Sequence, residues 1–372
     1  MSQLISTIST TGVVLSGTND NPTEVTSTGY VGNTTTAHHG DAIYGIAGTS
    51  WTVSNYGTIK GNTTLGTSAG IDLQSGGDVV NDLGGRISGQ ANGIEIYGGN
   101  GDVLNRQGTI RGQVGYGIYL AAGGAVTNGQ SGSAAALISG PSDGVFITGT
   151  IGTVSNYGTI TGAGFDGVQL YHGGNVTNGA GAVISGGTNG VAIQHTGGSV
   201  SNLGTISGSA ASVVITGDGS VTNGATAALI SGVGSGITIS GVGTVSNLGT
   251  ILGGTPFAVV LSGGGSVSNG ATGATAALIT GGIGVALGAA GAVANYGTNQ
   301  GHRERYWSGR FATRRQRGQW RGRFDRSVHF RRPLRNRNSE QRRHGRQLRH
   351  GLEWHGGLRR RAAGRWQHHQ RR

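Results

Sequence analysis

The chain has 372 residues, of which 78 are glycine, four proline and none cysteine, and its formal net charge is +12. The lack of cysteine excludes a disulfide framework and a thiolate metal site, and glycine without an every-third spacing excludes a collagen helix. Residues 1–298 hold four basic residues (Lys60, Arg86, Arg106, Arg111) against eleven acids, a net of −7, whereas residues 299–372 hold 23 arginines against four acids, a net of +19. The body therefore has no basic face for a polyanion, and any such affinity belongs to the tail.

In chain order, the opening Met1-Ser2-Gln3-Leu4-Ile5-Ser6 has no basic cluster and no apolar run of signal-peptide length. No later stretch reaches the length of a membrane-spanning helix. Residues 1–50 contain degenerate versions of a later repeat, Val31-Gly32-Asn33 and Ala42-Ile43-Tyr44-Gly45-Ile46, and are expected to form an N-terminal cap and a first irregular turn.

From residue 51 onward one phrase recurs: Val or Leu, any residue, then Asn, followed by Gly and Ile. Its asparagines are Asn55, Asn81, Asn105, Asn128, Asn156, Asn178, Asn202, Asn223, Asn247, Asn269 and Asn295, at intervals of 21 to 28 residues. This period is too short for a helical-pair repeat and fits one turn of a β-solenoid. One turn reads Val154-Ser155-Asn156-Tyr157-Gly158-Thr159-Ile160-Thr161-Gly162, then Gly167-Val168-Gln169-Leu170. Three alternating segments per turn are expected, with glycines at the bends. An apolar pair returns in each turn, as in Ile71/Leu73, Ile94/Ile96, Ile118/Leu120, Val145/Ile147 and Val168/Leu170. The residue between its members varies freely (Asp72, Glu95, Tyr119, Phe146, Gln169, Ala192, Thr238) and is expected to face solvent.

These features predict an all-β fold: a single-stranded, right-handed parallel β-helix of about eleven turns over residues 51–298. At about 4.8 Å per turn it would be roughly 50 Å long. The eleven asparagines are expected to stack as a structural ladder, each amide bonding to its equivalent one turn away. A ligand-binding row is the alternative.

The phrases Thr153-Val154-Ser155-Asn156-Tyr157-Gly158-Thr159-Ile160-Thr161-Gly162 and Gly197-Gly198-Ser199-Val200-Ser201-Asn202 resemble the β-strand repeats of large secreted bacterial proteins. They are similar to the passenger regions of autotransporter adhesins and to filamentous haemagglutinin-like proteins, over about residues 30–298. The segment Leu4 to Val13 resembles the start of such proteins that lack a cleaved signal. The resemblance implies an extracellular or bacterial cell-surface location, with host or cell-surface glycans or proteins as partners. It also implies that the chain is a monomeric fragment of a longer protein. It is specific for fold and says little of activity.

At Asn299 the repeat gives way to arginine, histidine and tryptophan, with four of the five tryptophans (Trp307, Trp320, Trp354, Trp366) in residues 299–372. Glycine codons read one base out of phase yield Arg and Trp. Permitted codons for Gly318 to Gly351, read one base later, regenerate the body's phrases, with hidden asparagines near positions 319, 347 and 367. The tail is therefore expected to be a disordered, out-of-frame translation product. The competing reading is an arginine-rich arm that binds nucleic acid or other polyanions without sequence specificity.

Chemistry is sparse. Asp72 and Glu95 occupy equivalent outward positions in neighbouring turns, about 5 Å apart, which is the best enzymatic hint, but no basic column accompanies them. His38, His39, His172 and His195 are scattered, and Gly98-Gly99-Asn100-Gly101-Asp102-Val103-Leu104 echoes a calcium nonapeptide without repeating. No catalytic residue, cofactor or metal is expected. The strip Tyr119, Phe146 and Gln169 falls at matching positions of successive turns and is the candidate binding surface for sugar rings or a partner. The expected function is that of a non-enzymatic secreted or surface repeat protein, adhesive or structural. A carbohydrate-active β-helix is the first alternative and polyanion binding through the tail the second.

Overall fold

In each turn the side chains alternate around three short strands. In Gly152–Asn156 the residues Val154 and Asn156 point inward and are buried while Thr153 is exposed. In Thr159–Gly162 the inward residue is Ile160, and in Val168–Leu170 the two apolar residues are buried on either side of Gln169. Val154, Ile160, Val168 and Leu170 are fully buried, and the next turn repeats them with Val176, Ile184, Val191 and Ile193. Each such side chain contributes roughly 1.5–3 kcal/mol by leaving water.

The structure is a computed structural model and describes residues 2–133 and 135–301. Equivalent strands pair in parallel from turn to turn, giving sheets of 13, 13 and 12 strands. The result is an all-β solenoid of about twelve turns. Among the described residues there is no α-helix, only the 3-10 turns Thr18–Asp20 and Ala37–Gly40. No helix of the described residues is long and apolar enough to cross a membrane. The expectations for the arginine-rich tail, its disorder and its out-of-frame origin among them, concern positions that lie outside the described residues, apart from Asn299 to Gly301.

Asn55, Asn81, Asn105, Asn128, Asn156, Asn178, Asn202, Asn223, Asn247, Asn269 and Asn295 stand in register at the end of the first-sheet strands. The Nδ2 of each donates to the Oδ1 of the next at 2.7–2.8 Å. Each amide up to Asn247 also reaches backbone carbonyls of its own turn and the following one. Asn178 Nδ2, for instance, donates to Ala182 O at 3.2 Å and Thr205 O at 3.0 Å. From Asn55 to Asn247 the amides have no exposed surface, so the column has no face on which a ligand could rest. The amides bond to one another and give the bend carbonyls a second donor: Ala182 O, for instance, also accepts the Thr205 N–H at 2.9 Å.

Bends between strands depend on glycine where the backbone enters left-handed territory. Gly174 opens its strand at φ 140, and a Cβ there would collide with the carbonyl oxygen of Gly152, its partner one turn back. No side chain fits this position.

Gln3–Ile5, Ile8–Ser9, Val13–Leu15, Thr23–Val25, Tyr30–Gly32 and Ile43–Gly45 are strands of the same three sheets. Residues 3–45 therefore contribute windings to the same three sheets, and the solenoid has about twelve turns. The ladder position in these turns is held by Ile5 and Val25, which align with each other and with Asn55. An aliphatic group in place of the amide removes the phrase from the sequence yet keeps the strand. At the other end, Thr298–Gly301 pairs with Leu278–Gly281, three residues beyond the expected limit of the repeats, and Asn299 takes the place beside Ile279.

Candidate functional site

The outward positions of the third sheet form one column in register: Tyr44, Asp72, Glu95, Tyr119, Phe146, Gln169 and Ala192. The sequence gives this column to solvent, and for its acids the structure corrects that. Asp72 is 3% exposed and Glu95 8%. Polar side chains from the adjoining bends close over them. Gln74 Nε2 donates to Asp72 Oδ1 at 2.6 Å, Asn92 Nδ2 donates to Glu95 Oε2 at 2.6 Å, and the Tyr97 hydroxyl faces Glu95.

A third carboxyl joins them. Asp41 is 2% exposed, and one oxygen from each of Asp41, Asp72 and Glu95 lies within 4.8 Å of the others. Asp41 Oδ1 accepts the Ala69 N–H at 2.6 Å, whereas Asp41 Oδ2 is buried without a hydrogen-bond partner. Burial pushes all three carboxyls up to about 7, and the charge of the neighbouring acid adds to the effect in each. No cationic side chain takes part, and the one ion pair among the described residues, Arg106 to Asp82 at 2.8 Å, lies elsewhere. Burial also raises the Tyr97 hydroxyl well above the usual phenol range, with Glu95 and Asp72 adding to it.

Asp41 belongs to a second column that sequence reasoning missed. It stands two residues before the first inward apolar residue of the third sheet, as do Asn92, Tyr116, Asp143, Asp166 and Asn189 in other turns. Several of its members fasten one turn to the next. Asn92 Oδ1 accepts the Tyr116 N–H at 2.8 Å, Asp143 Oδ1 the Asp166 N–H at 2.6 Å, and Asp166 Oδ1 the Asn189 N–H at 3.1 Å. Burial raises Asp143 to about 6 and raises Asp166 in the same direction. The signal was present as Asp or Asn recurring two positions ahead of an aliphatic pair.

Beyond Glu95 the outward column turns aromatic. Tyr119 and Phe146 stack at 5.4 Å with planes 28° apart, and Tyr116 lies 5.5 Å from Tyr119 and 5.3 Å from Phe146. Tyr97 meets Tyr119 edge-on at 5.6 Å. Gln169 is half-buried beside Phe146 in the register, and the run of rings continues instead through Tyr171, 6.4 Å from Phe146, to His195 at 4.4 Å. His172 stacks on His195 at 5.6 Å, so two of the four scattered histidines end this ridge. His38 stacks on Tyr44 at 4.3 Å, at the other end of the column. Asp72 and Glu95 are thus bracketed in register by Tyr44 and Tyr119, on one flank of the solenoid.

Chemically, the flank combines rings suited to stacking on a planar or apolar face with three clustered, buried acids. Comparison of the chain with protein-family models, with curated proteins and with solved structures finds no match.

Proposed function

We propose that the chain is a non-enzymatic repeat module of a secreted or cell-surface protein, a stiff rod that presents one flank to a glycan. The observation that carries this reading is the ridge from Tyr97 through Tyr119, Phe146 and Tyr171 to His195, set on successive turns of a rigid scaffold. Rings held at strand spacing on a scaffold that does not bend lose little entropy when they meet a repeating polymer. The likeness of its phrases to autotransporter-passenger and filamentous haemagglutinin repeats supports a bacterial, extracellular setting. The test is retention of the whole chain on a panel of immobilised polysaccharides. Tyr119→Ala combined with Tyr171→Ala is expected to weaken retention at least tenfold, while circular dichroism stays that of the wild type. Wild-type chain that passes every polysaccharide unretarded refutes the reading.

The buried carboxyls beside the ridge favour a second reading, a carbohydrate-active β-helix in which Asp72 or Glu95 serves as acid or base. Cleavage of an acidic polysaccharide that disappears in Glu95→Gln supports it, and intact substrates across the panel count against it. Polyanion binding through the tail is a third, separable reading. It requires steeply salt-dependent binding that is lost when the chain is cut after Thr298.

A further inference from the structure

We propose that Asp41, Asp72 and Glu95 form a binding site for one hard divalent cation of calcium's size, inset in the flank of the solenoid beside the aromatic ridge. Three observations converge on it. The three donor oxygens lie within 4.8 Å of one another. Any two oxygens bound to one calcium ion lie no more than twice the bond length apart, about 4.6–5.2 Å. The cluster is therefore compact enough for one such ion to meet all three oxygens.

The second observation is Asp41 Oδ2, an oxygen of a 98% buried side chain that has no hydrogen-bond partner. A buried, unpartnered carboxylate oxygen is costly, and a cation seated among the three acids supplies its missing partner. The third is charge. Three carboxyls come together with no lysine, arginine or histidine among the groups acting on them. Carboxylates without nitrogen or sulfur donors select hard cations over zinc or copper.

The surrounding polar groups suit such a site. Asn92 orients Glu95 through its Nδ2 while its Oδ1 is fixed by the Tyr116 N–H, the kind of outer support that holds a ligand in place. Gln74 donates to Asp72, and rotation of its amide turns Oε1 toward the cluster as a further neutral oxygen ligand. Water completes the coordination. Carboxylates coordinate a cation in their deprotonated form, so affinity rises with pH. The ligands come from three separate turns, so the cation also clamps the N-terminal windings together. The site is distinct from the nonapeptide-like Gly98 to Leu104, where Asp102 is exposed.

The experiment is a calcium titration of the full chain by isothermal calorimetry at pH 7.5, repeated at pH 5.5. Terbium luminescence sensitised by the tyrosines beside the cluster gives an independent readout. The expected result is one saturable site with a dissociation constant of about 10⁻⁴–10⁻³ M, in the range of extracellular calcium modules. Binding should be weaker at pH 5.5 than at pH 7.5 and weaker for magnesium than for calcium. Asp72→Asn and Glu95→Gln are each expected to lower affinity at least tenfold. Asp102→Asn, an exposed acid in register with Asp78, is expected to leave it unchanged. Absence of a saturable site in wild-type chain at pH 7.5 overturns the proposal whether or not the variants fold. So does calcium binding that persists in well-folded Asp72→Asn and Glu95→Gln, because the ion then sits elsewhere.

Discussion

Replacing Asn178 with alanine tests whether the amide column holds the turns together or merely accompanies them. Asn178 is fully buried. Its Nδ2 donates to Asn202 Oδ1 at 2.8 Å, Ala182 O at 3.2 Å and Thr205 O at 3.0 Å, and its Oδ1 accepts from Asn156 Nδ2 at 2.8 Å. Some partners are left with other bonds: Asn156 Nδ2 still reaches Gly158 O and Val183 O, and Asn202 Oδ1 still accepts the Gly204 N–H. Four hydrogen bonds at about 1 kcal/mol each, discounted for those surviving partners, give a loss of about 3 kcal/mol. Stacked repeats unfold in local units, so the assay is native-state hydrogen exchange at the amides of residues 156–205, with urea unfolding as a global check. Protection should fall most in the turns on either side of Asn178, and Thr153→Ala, an exposed change on the same sheet, should shift stability by less than about 0.5 kcal/mol. A loss below about 1 kcal/mol for Asn178→Ala, with protection unchanged in both neighbouring turns, would falsify the structural role given to the ladder.

Gly174→Ala should cost at least about 2 kcal/mol, since φ 140 suits glycine and the new Cβ strikes the Gly152 carbonyl; a melting temperature equal to wild type would remove the steric account of the bends. Asp143 has its carboxyl raised from 3.8 to about 6, chiefly by burial, so the stability it contributes is fully present below pH 3.8 and is lost as pH rises through 6. Asp143→Asn keeps an oxygen for the Asp166 N–H, and in chelator-treated chain it should gain up to about 3 kcal/mol at pH 8 and nothing at pH 3.5. Equal effects at both values, read from thermal melts, would contradict the assigned cause. Arg106→Ala breaks a pair in which the arginine is 49% exposed, and its effect on stability should stay below about 1 kcal/mol and vanish in high salt.

The period of Val-x-Asn was enough to define a solenoid, because stacking demands the same residue at the same place in each turn. The same logic failed wherever the ladder position changed chemistry. Ile5 and Val25 occupy it in the first windings, and no count of asparagines reaches them. Spacing also placed Asp72 beside Glu95 and Tyr119 beside Phe146, since alignment of neighbouring turns is nearly arithmetic. It left out Asp41, Tyr116 and Tyr171, which stand at bends next to the strands and reach the column only through the path of the loops.

The sequence by itself determined which backbone atoms pair, where aliphatic side chains stack and which amides meet, because these follow from a repeat whose turns must superpose. Tertiary structure alone decided which outward positions are open to water. Asp72, Glu95 and Gln169 share one column of the pleat, yet the two acids are sealed beneath Gln74, Asn92 and Tyr97 while Gln169 is half-buried. The strand pattern fixes the direction of a side chain, but solvent access depends on which side chains of the adjoining bends fold over it, and those differ from turn to turn.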